Sequence, residues 1–523
     1  MSVTPSVLFT NLCFITVLLG VALFVRRQRW GKRSQGFPVP PGPRGWPIVG
    51  NLLELPSQGQ PWVDYHKWSE RYGNMMSLNI LGMPLVVISS TDIAFDLFEK
   101  RSSIYSDRPP STMDELTGWA WNVALMPYGQ EWRSIRRVFH QYFNQLSTPN
   151  YRDKQTKEVH AFLRRSLEQE GSLNDVSIRQ TLAGIILDVV YGMTVTSMDD
   201  SYLKLATQAM DVLAESRMFG AWWVEFMPFL KYVPGWVPGS SAVKYGERWR
   251  STVMAAAHKA FDEVRETEVP KESMVLDLIT KLTSQGTIGT DAERHARYAS
   301  GIAYAAGSDT TFSLLETFFC AMAMFPDIQS KAQRELDEVI GRERLPSYED
   351  HGSLPYIQAI VLESTRWLPV LPLGVVHRLT QDDYYGGYFL PAGTVFMPTP
   401  FNPEQNTWAM LYNPKDYPNP EKFYPDRFLK DGRIDKTVRN PADMAFGFGR
   451  RICPGRYLAL DTAFLMIATV LHTFNVLPSV DEHGNTMDPT PQPTVGFLSY
   501  PDRLNVMLKP RSNVAASLVR ATQ

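Results

Sequence analysis

Residues 302–325, "IAYAAGSDTTFSLLETFFCAMAMF", are apolar nearly all the way round a helix, which restricts that helix to a bilayer or the centre of a large protein. Its few polar residues decide between the two. Asp309 and Glu316 lie seven apart and hence on one face, with Gly307, Ser308, Thr310 and Thr311 beside Asp309. Such a face is costly in lipid and usable inside a protein, so the sequence predicts a buried central helix. A chain of 523 residues, 44% hydrophobic and 20% charged, is long enough to wrap one. No fixed-period repeat or low-complexity stretch divides it. A formal net charge of -2 gives no overall basic field and argues against nucleic-acid binding. Cys13, Cys320 and Cys453 are odd in number, far apart and without a C-x-x-C, which argues against a disulfide framework and a closed zinc site and for folding in a reducing compartment.

The first 36 residues read differently. Residues 7–25 contain no charge over 19 positions, and as a helix they would measure about 28 Å, close to one bilayer core. Arg26, Arg27, Arg29, Lys32 and Arg33 follow this run, and no Lys or Arg precedes it. The positive-inside rule then leaves the remaining chain on the cytosolic side, and the missing cleavage pattern favours a permanent anchor over a signal peptide. Residues 37–51, "FPVPPGPRGWPIVGN", form a proline-rich, stiff, extended hinge. Residues 52–523 are expected to be one catalytic domain. In it, "MMSLNILGMPLVVIS" reads as two strands around Leu81, Gly82 and Met83, and most segments up to Pro369 have helical spacing. Strand signals return in "VVHRLTQDDYYGGYFLPAGTVFM" and "TVGFLSYPDRLNVMLKP", so the expected class is mainly α with small β-sheets, α+β.

Cys453 opens a helical pattern, "CPGRYLALDTAFLMIATVLHTF", with Pro454 suited to the first helical position. As the cap of that helix its sulfur would face unpaired amides, which predicts a lowered thiol pKa. Gly447, Gly449 and Gly455 permit a loop pressed against a flat ligand, and Arg451 suits an anionic edge of that ligand.

The spacing Phe446-x-x-Gly449-x-Arg451-x-Cys453-x-Gly455 resembles the haem-binding signature of the cytochrome P-450 family of haem-thiolate monooxygenases. The resemblance implies the cytochrome P-450 fold with haem b between the central helix and the cysteine loop, and Cys453 as axial iron ligand. Arg451 would contact a propionate and Phe446 would pack near the thiolate, an arrangement in which sulfur pushes electron density to iron. "AGSDTT" resembles the family's oxygen-activation stretch: Gly307 leaves room for dioxygen, and Asp309 and Thr310 relay protons. "ESTR" and "FYPDRF" resemble the segments carrying a buried Glu363, Arg366 and Arg427 network, whereas "ERWR" at 247–250 has the same spacing and reads as a surface pair. "WRSIR" places Trp132 and Arg136 as propionate holders, and His377 matches a third, although Val376 replaces the proline often found before it. The segment "PTPFNPEQ" departs from the family pattern between the Phe396 strand and Asn406.

The resemblance covers nearly the whole chain, and "NTWAM" and "YPNPEKFYPDRF" look most like fungal microsomal members of specialised metabolism. It implies oxygen, electrons from NADPH through a flavoprotein reductase, and endoplasmic-reticulum anchoring. Arg133, Arg137 and Arg450 are candidates for the reductase face; the chain has no Rossmann fingerprint of its own. By family position the substrate pocket takes Trp119, Trp121, Ala303, Ala306, Val370, Leu371, Val375 and Phe497, mostly apolar, which points to hydroxylation of a lipophilic small molecule such as a terpenoid. Two other readings stand beside this one: a haem-thiolate isomerase or dehydratase needing no external electrons, and a membrane-anchored cysteine hydrolase with Cys453 as nucleophile and His377 as base.

Overall fold

The computed structural model describes residues 21, 24–25, 27–56, 60–168, 173, 175–195, 200–217, 222–396, 406–494, 496 and 498–522. Most of residues 7–25, all of 397–405, and Phe497 lie outside the described residues. No single helix among those described is long and apolar enough to cross a membrane.

The predicted central helix is present and is the axle of the fold. Eight helices position the site: α1 (Gln130–Tyr142), α2 (Arg152–Glu168), α3 (Asp175–Tyr191), α4 (Ser201–Ser216), α5 (Ser241–Glu266), α6 (Asp291–Met324), α7 (Pro355–Trp367) and α8 (Arg456–Thr473). α6 starts where the Thr290 side chain accepts from the Ala292 amide, with Asp291 and Glu293 in the positive first turn, and it stops ahead of Pro326. At 34 residues it runs about 51 Å. Its first half, through Ala305, packs in one apolar cluster with α1, α3, α4 and α5. Its second half, from Phe312, packs in another with α2, α7 and α8. Ala306, Gly307, Asp309, Thr310 and Thr311 fall between the clusters and line a cavity instead.

The strand expectations hold where they were made. β1 (Met75–Ile80) and β2 (Met83–Ile88) pair antiparallel with Met75 opposite Ile88, and the two-residue turn places Leu81 and Gly82 at φ of 52° and 89°. The sheet continues to β3 (His377–Arg378) and β6 (Val395–Phe396) in the order β1-β2-β6-β3, and a ribbon of β4 (Asp383–Tyr385) and β5 (Tyr388–Leu390) sits between them in sequence. This sheet carries His377 to the cavity. A second sheet of β7 (Phe474–Val480), β8 (Thr486–Met487) and β9 (Val506–Pro510), and a final helix at Asn513–Arg520, complete the fold. β7, β8 and the last helix were not read from the sequence.

Of the proline-rich hinge, residues 37–45 run without helix, but residues 46–50 form a turn in which Trp46 and Gly50 exchange amide–carbonyl bonds at 2.8 and 2.9 Å, and the segment does not stand clear of the body. Ser77 donates its amide to the Pro41 carbonyl at 2.8 Å and the Asn51 amide reaches Asn79 O at 2.7 Å, so the hinge covers the open edge of β1. Gly42 is needed there, because a Cβ would lie 1.8 Å from the Ser77 carbonyl oxygen. Just before it, Arg33 holds Asp382 with two guanidinium nitrogens at 2.5 and 2.9 Å.

Candidate active site

One face of the cavity is α6; the other is the loop that ends at Cys453. That loop is closed by the Cys453 amide donating to Phe446 O at 2.8 Å, and its amide at Gly449 donates to Glu99 Oε2 at 2.6 Å. Gly449 has φ of 54°, and a Cβ there would meet the Phe98 carbonyl oxygen at 2.1 Å, so only glycine fits. Gly449 is thus a hinge of the loop and does not line the cavity, whereas Phe446, Gly447, Cys453, Pro454 and Gly455 do.

Two expectations at Cys453 are corrected. α8 begins at Arg456, with Gly455 as its cap, so Pro454 precedes the helix instead of opening it. Burial pushes the Cys453 thiol above its ordinary pKa; the Gly455 and Arg456 amides and the Arg136 and Arg456 guanidinium groups oppose that shift without reversing it. The sulfur alone therefore stays a thiol, and an anionic sulfur at this place requires a bound cation. No hydrogen bond among the described residues joins it to His377, so the nucleophile–base pair of a hydrolase is not formed.

Around one rim the structure gathers three guanidinium groups and an imidazole. Arg451 lies 4.5 Å over the Trp132 ring and donates to Ser106 O at 2.8 Å, Val123 O at 3.2 Å and Met126 O at 2.8 Å. Arg136 donates to Ile452 O, and burial draws its guanidinium down to about 10. Trp132 commits its indole N–H to Val123 O at 3.0 Å. His377 is 4% exposed; its Nδ1 meets Tyr105 O at 2.6 Å, and a carbonyl only accepts, so Nδ1 carries the proton. Burial, with Arg108 and Arg451 nearby, holds this imidazole neutral, its pKa well below the usual histidine value. Arg108 was missed in the sequence. It is 4% exposed, lines the cavity, and donates to Ala124 O at 3.0 Å and Val375 O at 2.7 Å. Its "SDRPP" context offers no periodicity or charge pair to single it out.

On the α6 side, Thr310 returns its hydroxyl to Ala306 O at 3.0 Å, and the helix continues unbroken through it. Asp309 is the one carboxylate among the described cavity-lining residues. Burial raises its pKa and the Arg179 guanidinium, 2.5 Å away, opposes the shift. Arg179 is the second residue that sequence reading missed; a lone cation on α3 says nothing about a partner 130 residues on. Gly307 lines the cavity, and its lack of a side chain also admits α3, since a Cβ would lie 2.7 Å from Ile186 Cδ1.

Behind the cysteine loop, Glu363 and Arg366 are fully buried. Arg366 holds Glu363 with two nitrogens at 2.8 Å each, Arg427 Nε reaches it at 3.2 Å and the Tyr424 amide at 2.7 Å, so the expected network is assembled and partnered. Glu247 and Arg250 are exposed, as read, but they are not paired with each other among the described residues: Arg250 donates to Glu115 O at 2.6 Å.

Of the expected pocket residues, Ala303, Ala306, Val370, Leu371 and Val375 line the cavity. Trp119 and Trp121 do not. Their short turn directs both indoles into the core, where they stack at 4.9 Å and Trp121 stacks on Tyr298 of α6 at 5.9 Å. The next residues, 122–125, form the wall instead.

The residues present fit haem: a single cysteine thiol on one face, a helix face with a small-residue step at Ala306 and Gly307 on the other, and a cationic rim for two carboxylates. Fold and site together define a haem-thiolate oxygenase. The family model for cytochrome P450 matches residues 40–507. The chain is 38% identical to cytochrome P450 monooxygenase COX2 of Coprinopsis cinerea over 98% of this chain and 96% of that one. It is 38% identical to cytochrome P450 monooxygenase 105 of Postia placenta, over 97% and 95%, and 37% identical to cytochrome P450 monooxygenase ple1 of Rhodocybe pseudopiperita, over 97% and 95%. The chain belongs to the cytochrome P450 family. It is a monooxygenase that uses haem ligated by a cysteine thiolate, dioxygen and reductase-derived electrons.

Proposed function

We propose that this monooxygenase hydroxylates a lipophilic small molecule, a terpenoid intermediate of fungal secondary metabolism. The observation that carries the reading is the wall around Ala303 and Ala306: Val123, Leu125, Ile186, Leu213, Ile302, Val370 and Leu371 are apolar, and Asp309, the one carboxylate among the described lining residues, is engaged by Arg179. A neutral, carbon-rich substrate meets no uncompensated charge there. Haem, when bound, supplies oxygen activation. The chain's residues do the rest. Cys453 binds it through sulfur; Arg108, Arg136, Arg451 and His377 hold its carboxylates; the apolar wall excludes water and orients the substrate; Asp309 and Thr310 hold and pass protons.

Residues 7–25 serve as a single-pass anchor in the endoplasmic reticulum membrane, with the catalytic domain facing the cytosol. Electrons come from an NADPH-dependent flavoprotein reductase at the face where Arg133 and Arg450 flank the Tyr128 ring at 5.6 and 5.4 Å, with exposed Arg137 nearby on α1. The test is co-expression with such a reductase and feeding of terpene hydrocarbons. Oxygenated products that require NADPH and dioxygen and vanish in Cys453→Ser are expected. Turnover of fatty acids or simple aromatics with every terpene left untouched would reject the substrate class.

A further inference from the structure

Residues Phe95–Lys100 form a π-helical turn, in which the Arg101 amide reaches back five residues to Asp96 O at 3.0 Å. Turns of this width are rare and recur at functional sites. Two rings and a carboxylate of this one converge on parts of the site assigned above to haem. The Phe95 ring meets Phe448 of the cysteine loop at 5.2 Å. Phe98, fully buried, meets Phe448 at 6.4 Å and the His377 imidazole at 4.5 Å, and its carbonyl oxygen fills the space that a Cβ at Gly449 would need. Asp96 is engaged inside its own neighbourhood, by Lys100 at 2.6 Å and the Tyr385 hydroxyl at 2.9 Å. Glu99 is not. Its Oε2 accepts from the Gly449 amide at 2.6 Å, and its side chain makes no other hydrogen bond or ion pair among the described residues.

The other amides around the cysteine loop find their acceptors in the same segment. Gly447 donates to Met444 O at 3.1 Å, Arg451 to Phe448 O and Ile452 to Gly449 O at 3.2 Å each, and Cys453 to Phe446 O at 2.8 Å. The Gly449 amide instead takes its acceptor from another element, and that acceptor carries a charge. Hydrogen bonds to an ionised group are shorter and about twice as strong as neutral ones. Gly449 opens the turn Gly449–Arg451, so the direction of its amide sets the course of Arg451, which serves the rim, and of Cys453 two residues on. Burial does not hold Glu99 in this place, since its side chain is exposed. What fixes the two backbones against one another is the packing of Phe95 and Phe98 on Phe448. Through Phe98 the same turn also touches His377 on β3, so one element bears on both the loop of the sulfur and the imidazole at the rim.

We propose that Glu99 is a positioning residue for haem capture: its carboxylate holds the Gly449 amide, and the turn that carries it fixes the cysteine loop and His377 at one separation before haem is bound. Sulfur and imidazole are then spaced in advance, and neither has to be ordered at the moment of binding. Without Glu99 the loop samples arrangements in which Arg451 and Cys453 are out of register with His377, so haem is held more weakly and in part without the sulfur. This rests on the reading of Cys453 as the sulfur ligand of haem.

The test uses the full-length holoenzyme as Glu99→Ala, Glu99→Gln and, as a charge control from the same turn, Lys100→Ala. Glu99→Ala is expected to lose haem to excess apomyoglobin several-fold faster than wild type. Part of its reduced, carbon monoxide-bound form should lack the red-shifted Soret band, and hydrogen–deuterium exchange of the peptide 446–453 should quicken. Glu99→Gln keeps an acceptor oxygen and is expected to recover most of each readout, and Lys100→Ala to match wild type. Wild-type haem loss and carbon monoxide spectrum in Glu99→Ala overturn the proposal, even where the urea midpoint falls, because the contact would then serve stability alone. Equal loss in Glu99→Gln and Glu99→Ala, or in Lys100→Ala and Glu99→Ala, overturns it as well, since the hydrogen bond would not be the cause. A red-shifted band that survives Cys453→Ser would instead remove Cys453 as the ligand, so the two readings fail separately.

Discussion

Replacing Glu363 with Gln keeps the shape of the side chain and deletes one negative charge from a site with no access to water. Four donors converge on that carboxylate: Arg366 Nε and Nη2 at 2.8 Å each, Arg427 Nε at 3.2 Å and the Tyr424 amide at 2.7 Å. After the change the two guanidinium groups remain, one fully buried and the other 5% accessible. Their other described partners carry no negative charge: the carbonyls of Leu411 and Lys422 and the rings of Tyr412 and Tyr417 for Arg366, and the carbonyls of Pro418, Asn419 and Lys422 and the ring of Tyr424 for Arg427. Removing one partner of a buried ion pair costs about 3–5 kcal/mol, because the remaining charge is left uncompensated. Since about 1.4 kcal/mol is tenfold in an equilibrium constant, the folding equilibrium constant should fall by roughly two to three and a half orders of magnitude. Arg427→Met should cost less, for Glu363 would keep Arg366 and the Tyr424 amide. The assay is the urea midpoint by tryptophan fluorescence, with the haem-loaded fraction of freshly purified protein as a second readout. A Glu363→Gln protein within about 1 kcal/mol of wild type, fully loaded with haem, would refute the argument that this network locks the floor of the site.

Cys453→Ser should abolish the strongly red-shifted Soret band of the reduced, carbon monoxide-bound protein, and a retained band would place the ligand elsewhere. Gly307→Ala should impair packing of α6 against α3, because its Cβ would lie 2.7 Å from Ile186 Cδ1, and Ile186→Ala should restore part of the loss measured by thermal unfolding. Thr310→Ala should release hydrogen peroxide at the expense of product, and unchanged coupling would remove Thr310 from the proton path. For Glu316, the folded carboxyl titrates near 9 against 4.5 unfolded, so the native state binds the extra proton between those values and stability falls as pH rises through that window. Glu316→Gln should flatten the fall between pH 5 and 9, as read by thermal unfolding at stepped pH; a slope equal to wild type would mean that Glu316 is ionised when folded.

What could be read from the sequence was whatever is local in the chain. The ten residues from Phe446 to Gly455 specify a loop, so their spacing carries its course; the structure adds why Gly449 must lack a side chain and moves the helix start from Pro454 to Arg456. The same holds for the β1–β2 turn and for the stripe of Asp309 and Glu316, where helical spacing alone fixes which side chains share a face. Trp119 and Trp121 failed for the opposite reason. A run of three residues in a tight turn has no period, so its spacing does not say which side of the chain faces the cavity; the indoles are held in the core by stacking on each other and of Trp121 on Tyr298. The thiol of Cys453 was misread because the helix end is a short-range influence, whereas burial depends on everything packed around the sulfur.

Arg108 and Arg179 carry the electrostatic logic that no spacing exposes. Near Val123 and Ala124 the cavity is cationic: Arg451 arrives from more than 300 residues along the chain to join Arg108 and Arg136, and His377 is held neutral beside them. On the α6 side the lining holds one carboxylate, and Arg179 reaches it from outside the lining. A ligand that satisfies both sides must present two negative groups at one edge and no charge near Asp309. Haem would supply the first condition with its propionates, and the second then falls on the substrate; the proposal of a neutral hydrocarbon framework over a carboxylic acid rests on that division. If a fatty acid were turned over as readily as its methyl ester, a cation other than Arg179 would have to serve it, and the electrostatic division of the cavity would be wrong.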